Sequence, residues 1–170
     1  MKQTKLYNVI FPIWFILFFP PVILITLAGN FIIDSLVIYA CYLIFRLSDT
    51  VTAFKAFYKE SIFKVWIFGF LSDLIGAAIL FTTGILGDFL GIPYEISSAI
   101  NFDPFSNVTA VAIIIFAMLV SALFIFLFNY KITFRRQIED KHKRLKVALT
   151  LAIVTMPWTF LLPTKWFYRF

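Results

Sequence analysis

Two aspartates, Asp34 and Asp73, are embedded in long apolar runs, and they are the most chemically conspicuous residues in the chain. A charged Asp at the centre of a bilayer costs roughly 2.5–3.5 kcal/mol on insertion scales, so such a residue faces protein or a wet cavity rather than lipid. A carboxyl held there can exchange a proton or hold a cation. It can also simply fix packing, in the case of Asp73 by bonding across helices to Ser72, Ser121 or Lys64. Asp34, read as lying one turn inside a span near the outer face, can equally cap that span or stay wet. The packing role is the expectation, with an intramembrane polar site of Asp73, Asp34 and Ser72 as the alternative.

Other chemistry is sparse. The single His, His142, sits between Lys141 and Lys143, and the single Cys, Cys41, lies in an apolar run, so a transition-metal site is not expected. No HExxH, GxSxG, Walker or dinucleotide pattern occurs. Two facing carboxylates would suit intramembrane aspartyl proteolysis. However, the later apolar runs contain no Asp or Glu, and Gly87-Asp88 lacks the first glycine of GxGD because residue 85 is Ile. Neither an enzyme nor a cofactor is expected.

The elements that must position the aspartates follow from composition. The 170 residues are 62% hydrophobic and only 14% charged, with a mean hydropathy of +0.94. Soluble domains are about 45–50% apolar and ~25% charged. Such a chain cannot hide its apolar surface from water, which predicts an all-α, polytopic integral membrane protein forming one transmembrane domain over residues 1–170. A crossing helix needs about 20 apolar residues. Five spans are expected, near 9–28, 31–46, 61–86, 107–130 and 147–163. The first two are separated by a turn at Gly29-Asn30, and Pro20-Pro21 kinks the first. In the alternative, the chain reverses at those prolines as a re-entrant segment. Residues 47–60 carry apolar and polar positions at helical spacing, as an amphipathic helix at the interface or an extension of span two. Pro157 should bend the last span.

Charge then predicts sidedness. Lys and Arg concentrate on the cytoplasmic side, and all but Lys165 and Arg169 fall before span one, around 46–64, or within 131–146. The segment 87–106 holds Asp88, Glu95 and Asp103 and no basic residue. The expected threading puts the N-terminus in and the C-terminus out, in a plasma membrane of bacterial type. The net charge of +6 is thereby explained without nucleic acid. Arg135, Arg136, Lys141, Lys143 and Arg144 are candidate contacts for anionic lipid headgroups on the inner face. Trp14, Trp66 and Trp166 are expected at interfaces, and Trp158 inside.

Small residues mark helix contacts. Gly69, Asp73 and Gly76 share a stripe in span three, and Ser72 with Gly76 makes a small-xxx-small pair. Ala117 and Ser121 belong to a second small stripe in span four, and the two faces are expected to pack with Asp73 inside. The expected function is a non-enzymatic subunit or scaffold that joins a partner membrane protein or forms a homo-oligomer. The alternative is a small proton- or cation-coupled transporter using Asp73 and Asp34.

Overall fold

The computed structural model describes residues 11–49 and 53–167, and among these the chain is all-helical. A single turn, α1 (Ile13–Ile16), precedes the long helix α2 (Val22–Ile44). Helix α3 (Phe54–Leu80) is prolonged by a π turn to Ile85, and a short α4 (Tyr94–Phe102) follows. Helix α5 (Val108–Phe128) is prolonged by a π turn to Thr133, and α6 (Lys141–Val154) leads into a 3-10 turn at Trp158–Leu161. Four of these stretches are long and apolar enough to cross a membrane: Val22–Ile44, Phe54–Ile85, Val108–Thr133 and Lys141–Leu161.

The first apolar block departs from expectation. Helix α2 runs straight through Gly29-Asn30, and the chain turns instead at Pro20-Pro21. Two consecutive prolines supply no N–H, so a helix cannot continue through them without losing ladder bonds. Gly29 and Asn30 both keep their N–H, and in an apolar medium breaking the ladder there would strand backbone groups. In place of spans at 9–28 and 31–46 there is one short folded-back segment and one 23-residue helix. In the short segment, Trp14 is buried in a cluster with Ala77, Leu80, Ile100 and Phe160. Ile13 N–H donates to Thr164 Oγ1 at 2.9 Å. The start and end of the described chain therefore meet at one end of the bundle, whereas five spans would separate them.

Two further expectations are revised. Residues 54–60 are the opening turns of α3 rather than a separate helix, and Phe57, Ser61, Ile62 and Val65 turn into the core; residues 50–52 lie outside the described residues. Among the tryptophans, Trp14 is the buried one and Trp158 is 53% exposed. The prolines fold Trp14 inward, while the end of α6 carries Trp158 to the edge.

Two apolar clusters hold the bundle. One joins Ile38, Phe57, Phe134, Ile138 and Val147 toward the end where α2 and α5 finish and α3 and α6 begin. The other joins Trp14, Leu80, Ile114, Met118 and Phe160 toward the opposite end. Between them, α3 lies close against α5 because Gly76 has no side chain. A Cβ there would overlap Ser121 Oγ and come within 3.0 Å of the Ala117 carbonyl. Side-chain caps start the later helices. Asn107 Oδ1 accepts from the N–H groups of Thr109 and Ala110, and Asp140 Oδ1 from those of His142 and Lys143.

Candidate functional site

Helix α2 presents Asp34 roughly three turns from either of its ends. That is mid-helix rather than near a face, because α2 begins at Val22. Helix α3 presents Gly69 and Asp73 one turn apart on a common side. Gly69 faces the neighbouring acid: a Cβ there would sit 3.8 Å from Asp34 Oδ2, in ordinary contact. Both carboxylates line one cavity of about 160 Å³. Asp34 is 4% exposed and Asp73 9%.

The third wall comes from the end of α6. Pro157 has no N–H to give the Ile153 carbonyl, and Trp158 N–H turns back to the Met156 carbonyl at 2.7 Å. The helix therefore unwinds after Val154, and Val154 to Phe160 line the cavity. A helix C-terminus carries the negative end of the macrodipole. The unwound end of α6 thus adds negative potential to a space that already holds two carboxylates. The remaining polar lining is neutral: Thr26, Asn30, Thr155 and Thr159. Thr155 Oγ1 donates to the Leu151 carbonyl, leaving lone pairs free to accept from a guest. Rings from Phe18, Phe70, Trp158 and Phe160 complete the apolar part.

Nothing positive among the described residues answers these acids. Among the described residues, the one salt bridge joins Lys165 to Asp103, away from the cavity. Asp73 Oδ1 is buried without a hydrogen-bond partner. The cross-helix bonds expected for Asp73 are not made. Ser72 Oγ donates to the Phe68 carbonyl of its own helix, Ser121 Oγ is buried without a partner beside Gly76, and Lys64 is exposed. Ser72 therefore lies one residue from the site and does not line it. The small stripe divides: Gly76 turns to Ala117 and Ser121 on α5, while Gly69 and Asp73 turn to α2 and α6. One turn of helix between Asp73 and Gly76 rotates the stripe from one neighbour to the other.

The basic candidates also divide. Arg135, Arg136 and Lys141 are exposed. Lys143 Nζ donates to the Arg46 carbonyl at 2.8 Å, tying α6 to the turn after α2. Arg144 donates to the Arg135 carbonyl, and its guanidinium lies 4.7 Å from the Tyr130 ring centroid. The sequence reading missed Asn30, Thr155, Phe18 and Phe70 as lining residues. Only Pro157, which marks the break in α6, signalled any part of that wall. Among the described residues, no group of three or more His, Cys, Asp or Glu is gathered to hold a metal ion.

Comparison with family models, with curated proteins and with solved structures finds no match to this chain.

Proposed function

We propose that this is a small multi-pass membrane protein that binds a proton or cation at the Asp34–Asp73 cavity and couples that binding to transport. The observation that carries the proposal is one cavity lined by two buried carboxylates from different helices, with Asp73 Oδ1 unpartnered. A buried carboxylate that merely fixes packing should be satisfied by neighbours, because leaving a polar group bare costs stability with no structural return. The unwound end of α6 supports the same reading, since discontinuous membrane helices direct their ends at bound ions. A subunit held by packing alone gains nothing from an unanswered acid, so the scaffold reading requires a partner helix that brings a cation to it.

In this reading the protein lies in a plasma membrane. The end bearing Arg46, Arg135, Arg136 and Lys141 faces the cytoplasm, as basic loops do. The acidic segment 87–106 and the α1 segment then lie outside. In this reading the four candidate crossing helices bring the end of the described chain back to the side on which the α1 segment lies.

Reconstitution in liposomes tests the proposal. An imposed proton or alkali-ion gradient should drive flux through the wild-type protein, read by an internal pH or ion dye. The Asp73→Asn variant, folded by circular dichroism, should carry none. If the variant instead conducts normally and fails to assemble with a co-purifying protein, the scaffold reading holds and transport is refuted.

A further inference from the structure

We infer that the Asp34–Asp73 cavity takes a small organic ammonium ion, about the size of tetramethylammonium. This rests on reading the cavity as a cation site, and it adds the chemical class of the cation. Three independent features converge on it. The first is size. An apolar cavity of about 150 Å³ holds a benzene-sized guest, and this one measures about 160 Å³. A bare alkali or alkaline-earth ion would fill a small fraction of it, and water would have to occupy the rest against largely apolar walls.

The second feature is the character of those walls. Four rings, from Phe18, Phe70, Trp158 and Phe160, line the same space as the two acids. Aromatic faces attract ammonium ions through the ring quadrupole, and aromatic cages are the recurrent solution for quaternary ammonium recognition. A hard metal ion gains little there, because it requires six or more oxygen ligands at short range. The third is charge. Among the described residues, Asp34 and Asp73 are the only charged ones lining the cavity, and α6 ends beside them. An ammonium group at the acid side with its methyl groups against the rings compensates the charge of the Asp73 carboxylate and covers apolar surface at once. A proton would satisfy the acid and leave the aromatic side empty. Trp158, half exposed at the edge of this space, is placed to close over such a guest.

The test is equilibrium binding of radiolabelled tetramethylammonium to the full chain in detergent micelles, run beside radiolabelled sodium. Choline should compete for the site. Its uncharged isostere 3,3-dimethylbutan-1-ol should compete at least roughly tenfold less well, because it lacks the charge. Asp73→Asn should abolish binding. Trp158→Leu should weaken it by roughly tenfold while Trp158→Phe retains most of it, which separates loss of a ring from loss of a fold. If sodium binds in an Asp73-dependent way and tetramethylammonium does not, the cavity is a cation site and the organic ligand is refuted. If neither ion binds, both this inference and the cation-site reading fail. Equal competition by the neutral isostere would overturn the inference as well, by showing that shape alone is recognised.

Discussion

Around Phe57 and Phe134 the bundle is filled with large rings stacked 5.8 Å apart, and Ser61 Oγ donates to Gln137 Oε1 at 2.6 Å. Midway along α2 and in the second half of α3 the chain does the reverse: it places two acids around a cavity and gives Asp73 Oδ1 no partner. The first region has orphans too, Asn129 Oδ1 and Thr133 Oγ1, but these are neutral groups. A neutral unmet acceptor costs roughly 1–3 kcal/mol, and an unmet carboxylate much more. The contrast separates a region selected for cohesion from one where cohesion is given up. Stability should therefore respond steeply to substitutions in the first region and weakly in the second.

The largest loss is expected at Phe57, which is 2% exposed. Phe57→Ala should cost toward the lower end of the ~3–5 kcal/mol typical of such truncations. A chain unfolded within lipid or detergent keeps its side chains in an apolar medium, which leaves the cavity as the main cost. Denaturant unfolding in micelles measures it. Next comes the contact between α3 and α5. Gly76→Ala forces a methyl group against Ser121 Oγ and the Ala117 carbonyl, and should cost about 1–3 kcal/mol. Adding Ser121→Ala should recover only part of that, because the backbone oxygen cannot be trimmed. Full recovery would mean that the helices can slide apart there.

A smaller effect is expected at Asp140. Backbone N–H bonds from Lys143 and His142 hold its carboxyl below the ordinary value of 3.8. A folded-state value that is depressed means a contribution fully present above the unfolded value and lost as pH falls through the folded one. Asp140→Ala should therefore lower the melting temperature by the same amount at neutral pH and down to pH ~4. Below that the gap to wild type should close. A gap that persists into strong acid would show that the cap does not act through its charge.

Much of this contrast can be read from the amino-acid order, and the remainder fails for identifiable reasons. The membrane character, the break at Pro157 and the two acids as the residues to watch all follow from residue types. The depth of Asp34 does not, because it depends on where α2 begins. Gly29-Asn30 carries strong turn chemistry, yet the double proline eight residues earlier decides the matter. The cavity itself is assembled from the α1 segment, α2, α3 and the unwound end of α6. Residues such as Phe18 and Phe70 carry no local mark of lining it, since nothing in a Phe-rich chain distinguishes one ring from another. Trp14 and Trp158 exchange their expected places for the same reason: burial follows the two chain breaks rather than the residue type.

The thermal midpoint of Asp73→Asn, measured beside wild type in the same micelles, decides whether the acid is held for work or for cohesion. Asparagine keeps the shape and removes the charge, so the midpoint should be unchanged or higher. A fall of more than about 4 °C, roughly 1 kcal/mol or more for a chain of this size, would make Asp73 a structural tie and contradict the account.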